Sequence, residues 1–169
     1  MLETVTLVLF PLLMAYAASS DLFTMTIPNR LSVLLVLGFP VLAYASGLGL
    51  EAIAMHLAAG AAMLAVTFTL FGLGWIGGGD AKLAAATAVW LGFGGLPSYL
   101  LLASLAGGAL TLALLALRRH PLPERMGRWP WLLHLHDQRT GVPYGIALAA
   151  AALAVYPYSA IWLAAIASS

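Results

Sequence analysis

Long apolar runs alternate with short polar breaks along the whole chain. Six of these runs are candidates for membrane-spanning helices, since a helix needs about 20 mainly apolar residues to cross a bilayer. They cover residues 2–20, 30–47, 51–74, 81–96, 98–117 and 143–167. The fourth is short for a hydrocarbon layer of about 30 Å, and we expect it to start deep in the membrane. The pattern predicts an all-α integral membrane protein with about six transmembrane helices, forming one domain over residues 1–169.

The composition supports this class. The chain is 63% hydrophobic and 8% charged, whereas a soluble domain carries roughly 25% charged residues. The net charge of +1 gives no reason to expect a nucleic-acid partner. Without any cysteine the chain can form no disulfide, thiolate nucleophile or cysteine-based zinc site. Ala15-Tyr16-Ala17 resembles a signal-peptide cleavage site, but the preceding residues carry Glu3 and no cation, which favours a first membrane helix.

The cations predict an orientation. With six spans, all seven Lys and Arg residues fall on the first, third and fifth loops, and Glu3 and Glu51 lie on the opposite side. The cations are Arg30, Lys82, Arg118, Arg119, Arg125, Arg128 and Arg139. The positive-inside rule then makes the odd loops cytoplasmic and both termini periplasmic. The loop 118–141 contains "WPWLL", which is typical of a segment lying among lipid headgroups.

Two acidic residues are distinguished by their position. Asp21 ends the first span and Asp80 opens the fourth, so the topology places both at the cytoplasmic boundary. Each has a structural explanation, because Asp80 suits a helix N-terminus and Asp21 suits a helix end. Ionisable groups near the membrane interior nevertheless usually mark function. Two carboxyl groups in one site share a proton, and the pair can act as general base and general acid, as in aspartic proteases.

The residues around Asp80 are further candidates. Gly77, Gly78 and Gly79 leave room for an extended peptide beside the carboxylates, which makes them candidate substrate-binding residues. Lys82 is explained equally well by binding of a substrate or lipid group and by simple extension of its amine to the membrane surface.

Four motifs carry a resemblance to a known family. The stretch 77–80 has the form G-x-G-D, which is found in the intramembrane aspartyl proteases that include presenilin. The stretch 21–29 has the form D-x5-I-P-N, Lys82 follows the second aspartate, and "VPYG" at 142–145 opens the last span. In this order and on these membrane faces, they resemble the type IV prepilin leader peptidase family over essentially the whole chain.

The resemblance implies a membrane aspartyl endopeptidase of the bacterial inner membrane. Such an enzyme removes the leader of prepilins or pseudopilins at the cytoplasmic face, just before the apolar helix of its substrate. Asp21 and Asp80 match the two catalytic aspartates, and no cofactor or metal is expected. Larger members carry an N-terminal four-cysteine zinc segment linked to N-methylation. Lacking cysteine, this chain resembles the short members that serve tight-adherence (Flp) pili, and N-methyltransferase activity is not expected.

Other interpretations stay open. Asp21 and Asp80 could form the proton or cation relay of a small transporter or channel subunit, or the chain could be a non-catalytic subunit of a pilus machine. Pro28 and Asn29 are interpreted as a turn and a helix N-cap. Two histidines near Asp137 could bind a metal, although interfacial polar residues are the simpler interpretation; they are His134 and His136.

Overall fold

The computed structural model describes residues 2–121 and 128–167, and these form a bundle of helices. The long helices are α1 (Leu2–Thr24), α2 (Asn29–Ala45), α3 (Leu50–Gly72) and α4 (Gly78–Arg118). They are followed by α5 (Pro130–His136), α6 (Tyr144–Val155) and α7 (Ala160–Ala167), with a 3₁₀ turn at Tyr156–Tyr158 between the last two. Within the described ranges there is no strand. The expected all-α class is confirmed.

The lengths of these helices suit a membrane protein. Three of them, α1, α3 and α4, are long and apolar enough to cross a bilayer. The pair α6 and α7 is bent by 45° at its break and would be a fourth span if it is counted as one. Pro157 lies in the 3₁₀ turn just before this break, whereas α2 continues through Pro40 and has 17 residues. The count of six spans and the periplasmic termini remain predictions.

Helix α4 is broken at Gly92. This residue has φ 64° and ψ 176°, a conformation that is essentially restricted to glycine. The break divides α4 into a first arm, residues 78–91, and a second arm, residues 93–118. The sequence placed the boundary between 96 and 98, which is wrong, because Pro97 lies inside the second arm. A proline has a φ close to that of a helix, so it is less disruptive here than the positive φ at Gly92.

The chain reverses direction at this break. In the second arm, the Thr111 hydroxyl lies 3.0 Å from the Tyr144 hydroxyl. Gly145, which follows Tyr144, donates its N–H to the Asp21 carboxylate. Asp21 lines the same cavity as Asp80, which lies at the start of the first arm. A straight helix of 41 residues would instead hold its ends about 60 Å apart. The two arms therefore return to the same side of the bundle.

The first arm is the centre of the bundle. Residues 83–92 are all buried, whereas most of the second arm has exposed apolar side chains. The indole N–H of Trp90 donates to the carbonyl of Leu35 at 2.9 Å. At the break, Nδ1 of His56 is 2.8 Å from the carbonyl oxygen of Val89. The first arm is thus held by polar contacts to its neighbours as well as by packing, and Asp80 lies at its N-terminal end.

Candidate active site

Asp21 lies in the last turn of α1 and is held by the start of α6. Its side chain is buried, and the backbone N–H of Gly145 donates to its Oδ2 at 2.7 Å. A Cβ on residue 145 would lie 2.8 Å from that oxygen and 3.0 Å from the Cβ of Asp21. Only a glycine therefore allows α6 to begin this close to the carboxylate.

The chain between Asp21 and Asn29 ends one helix and begins the next within a few residues. Met25 ends α1 with a φ of 53°, a left-handed conformation that is uncommon outside glycine. Its N–H donates to the carbonyl of Asp21 at 2.9 Å. Pro28 then has an extended backbone at φ −62° and ψ 135°, and α2 begins at Asn29. The segment 25–28 consequently crosses beside the Asp21 carboxylate, which gives the D-x5-I-P-N spacing a structural basis.

Asp80 lies in the first turn of α4. Gly77 is the N-cap of this helix, which makes Asp80 the third helical residue, and the carboxylate lies against Gly77, where a Cβ would be 3.0 Å from its Oδ2. An acidic side chain at this position reaches back to the N-cap in the manner of a capping box and is favoured by the helix dipole. The end of the central helix thus fixes Asp80 by its own backbone.

The two carboxyl groups share one cavity. This cavity has a volume of about 290 Å³, and the two groups are close enough for their charges to interact. It is lined by Asp21, Met25, Thr26, Ile27, Asn29, Gly77, Gly78, Gly79 and Asp80. Two carboxyl groups in such a setting can hold one proton between them, so that one accepts a proton while the other donates. The structure brings together the two acidic residues that the sequence singles out.

The glycines before Asp80 line the cavity and also contact the chain itself. A Cβ on Gly79 would lie 3.4 Å from the Cβ of Ile27, which is an ordinary contact. A Cβ on Gly78 would lie 3.2 Å from the Phe71 ring, which is tight. Internal packing therefore accounts for part of the need for glycine. A role for these residues in holding a substrate remains a prediction.

Lys82 connects α4 to α2. Its Nζ donates to Oδ1 of Asn29 at 2.9 Å. The predicted start of α2 is confirmed, but the N-cap role of Asn29 is wrong. The N-cap is Pro28, no side chain caps this helix, and the Asn29 oxygen accepts from Lys82 instead.

The predicted basic loop is tied to the end of α4. The guanidinium of Arg118 donates to the carbonyls of Leu135 and Gly141 at 2.9 and 3.0 Å. Helix α5 carries His134 and His136, and no group of three or more His, Asp or Glu side chains that could hold a metal ion occurs in residues 2–121 and 128–167. Arg125 lies outside the described residues.

Sequence reasoning missed two contributors to the site. Gly145 belongs to the "VPYG" motif, but nothing in the sequence indicated that its N–H would reach Asp21, 124 positions away in the chain. Met25 has no signal in the sequence, because a positive φ at a residue other than glycine is not reflected in composition or periodicity.

Comparison with known proteins identifies the family. The sequence profile of the type IV leader peptidase family matches residues 8–112, which include both aspartates. The chain belongs to this family. A prepilin leader peptidase/N-methyltransferase of Pectobacterium carotovorum subsp. carotovorum is 40% identical over 57 residues. That match covers 34% of the present chain and 20% of the Pectobacterium protein. No solved structure matches.

Proposed function

We propose that this protein is a membrane aspartyl endopeptidase that removes the N-terminal leader of prepilins or pseudopilins. The observation that carries the proposal is the shared cavity of Asp21 and Asp80 in a chain with six acidic residues. Membership in the type IV leader peptidase family supports the same conclusion. The reaction takes place at the cytoplasmic face of the bacterial inner membrane and serves pilus biogenesis or secretion.

In the proposed reaction the aspartate pair holds one proton. The ionised carboxylate takes a proton from a water molecule, which attacks the scissile carbonyl carbon. The protonated carboxyl donates its proton to the carbonyl oxygen, which gives a tetrahedral diol. The carboxyl that received the proton from water then donates it to the amide nitrogen, the other carboxylate takes a proton back from a diol hydroxyl, and the C–N bond breaks. Gly77, Gly78 and Gly79 form the wall along which the extended peptide lies. No metal or cofactor takes part in these steps.

The proposed topology has six spans with both termini in the periplasm. The two arms of α4 supply two antiparallel spans, and α6 with α7 supplies the last. The cations Arg30, Lys82 and Arg118 then lie on the same side as the carboxylates, as the positive-inside rule requires. A reporter fused at residue 169 is expected to be periplasmic and one in the loop after Arg118 cytoplasmic; a cytoplasmic signal at residue 169 would contradict this topology.

The proposed activity is proteolysis without methyl transfer. The resemblance links N-methylation to a four-cysteine zinc site, and the sequence contains no cysteine to form one. The alternative of a transporter relay would favour acidic residues near the bilayer midplane and discontinuous helices around them. Asp21 and Asp80 lie instead at helix ends on one side, and the break of α4 at Gly92 is 12 residues away from Asp80.

The test is cleavage of candidate prepilins in membranes. The protein is expressed together with a prepilin, and the product is examined for a shortened chain and for methylation of its new N-terminus. We expect a shortened, unmethylated product that is absent from the Asp21→Asn/Asp80→Asn double variant at equal expression. Cleavage that persists in the double variant would exclude the aspartate mechanism.

A further inference from the structure

A second cavity opens beside the aspartate cavity and faces the surface of the bundle. It has a volume of about 590 Å³ and lies between α2 and α3, over the first arm of α4. We name it the lateral groove. Its walls include Val36 and Leu37 of α2 and Leu57 and Leu64 of α3. All four side chains are partly exposed, so the groove is apolar and open to whatever surrounds the bundle.

The lateral groove adjoins the aspartate cavity at Asn29. Asn29 lines both cavities, and Lys82, which donates to Asn29, also lines the groove. The charged and amide groups are therefore at the end nearest the carboxylates, and the apolar walls extend away from it. From Asn29 to Leu37 the groove follows α2 for about 12 Å, which is roughly two turns of a helix.

The floor of the groove consists mainly of small residues. Ala85 and Ala86 of the first arm, together with Gly60 and Ala61 of α3, line it. Small residues allow helix backbones to approach closely, which is the main device of helix association in membranes. A flexible acyl chain has no need of such a floor, whereas a helix lying in the groove does. Packing within the bundle also requires a glycine at position 60, because a Cβ there would clash with Val89.

We propose that the lateral groove is the docking site for the apolar helix of the substrate. The inference rests on the proposed function, since a leader cut just before an apolar helix leaves that helix to enter the bilayer directly from the carboxylates. A peptide extended across the aspartate cavity reaches the groove at Asn29, and its helix then packs between α2 and α3. The helix-in-groove mode supplies the affinity, while the carboxylates act on the extended segment.

The first experiment locates the substrate helix by disulfide crosslinking. The absence of cysteine provides a clean background. Single cysteines replace Leu64 and Leu37 in the groove, and matched controls replace Val66 and Val41, which are exposed on the same two helices outside it. Each is combined with Asp80→Asn and with a prepilin carrying one cysteine in its apolar helix. We expect adducts from the groove positions alone; equal adducts from the controls would overturn the proposal.

The second experiment fills the groove. Ala61→Trp places an indole on its floor, whereas Ala62→Trp adds the same group to the adjacent exposed position outside it. We expect Ala61→Trp to raise KM for membrane-inserted prepilin about tenfold with little change in kcat, because uniform binding is lost. Cleavage of a soluble leader peptide without the apolar helix should be unchanged. Identical KM values for the two variants would overturn the proposal.

These outcomes separate the docking site from the enzyme activity. If the unmodified protein cleaves no prepilin, the proposed function fails, whereas selective crosslinks from the groove would still show docking. If cleavage is normal and phospholipid is retained in the groove of the purified protein while no crosslink forms, the groove is a lipid site and the docking proposal is wrong.

Discussion

The two aspartates of the shared cavity are held in different ways. Asp21 is enclosed by three segments of the chain: its own helix, the crossing segment 25–28 and the start of α6, whose Gly145 touches its side chain. Asp80 lies in the first turn of its own helix, and its carboxylate lies against the N-cap residue Gly77. Its neighbour Gly79 has room for an added methyl group.

The difference shows how a helical bundle builds a site from distant residues. Long-range contacts fix the position of Asp21, so a small change in α6 is transmitted to it. Local helix geometry fixes Asp80, so its position depends less on its neighbours. Replacing either carboxylate should abolish the proposed chemistry, whereas changes to the surroundings should affect the Asp21 side more strongly.

The largest effect is expected from the carboxylates themselves. Asp21→Asn and Asp80→Asn remove the shared proton with little change in size, and each should lower the rate of prepilin cleavage about 10²–10⁴-fold. The double variant should be little worse than either single variant, because the two groups act as a unit. Quantitative cleavage in membranes, normalised to protein level, measures this. Asp137→Asn is the control, since its Oδ1 accepts an N–H in the exposed segment after α5. Near-normal cleavage by either single variant would contradict the mechanism.

The next effect is expected at Gly145. Gly145→Ala forces a Cβ against Oδ2 and Cβ of Asp21 and against Ile27. Displacing a catalytic group by about 1 Å can cost about 10²-fold in rate, and we expect a loss of that order. The matched control is Gly141→Ala in the loop just before α6, where a Cβ meets nothing within 4 Å. Equal kcat/KM values for these two variants would mean that Asp21 does not depend on α6.

A smaller, size-dependent effect is expected at Gly79. Gly79→Ala makes only ordinary contacts with Ile27, and its cleavage rate should stay within about threefold of the unmodified protein. Gly79→Leu overfills the cavity and should suppress cleavage about tenfold or more while leaving membrane insertion intact. Cleavage assays on membranes with equal protein levels compare the two. Full activity of Gly79→Leu would show that the glycines serve helix packing or turn geometry instead of substrate binding.

The smallest effect is expected from the link between α2 and α4. Lys82→Met and Asn29→Ala each remove the same hydrogen bond, which is worth about 1 kcal/mol, and should lower the thermal midpoint in detergent by a few degrees. The double variant should lose no more than either single one. A KM that rises in Lys82→Met but not in Asn29→Ala would instead identify Lys82 as a direct substrate contact.

The sequence predicts the parts of this molecule that depend on local pattern. Hydropathy gives the helical class, and the positions of Asp21 and Asp80 at the ends of apolar runs predict their meeting on one side. The start of α2 after Pro28 follows from the proline. These features depend on residues that are close together in the sequence, so periodicity and composition are sufficient to predict them.

The parts that it does not predict depend on backbone conformation and on distant contacts. Gly92 and Pro97 are both plausible helix breaks, and only the φ of Gly92 decides between them. The contact between Gly145 and Asp21 requires α6 to be placed against α1. Asn29 is a good N-cap residue by type, yet its side chain is engaged by Lys82 from another helix.

The break at Gly92 has a consequence for the surrounding lipid. The first arm of α4 has 14 residues, 78–91, and is about 21 Å long. A hydrocarbon layer is about 30 Å thick, so this helix is too short to reach from one headgroup region to the other. Hydrophobic mismatch of this size thins the bilayer or leaves the helix end below its surface. Under the proposed function, water reaches the carboxylates through the bilayer around this short helix. The rate of cleavage should therefore depend on the thickness of the membrane.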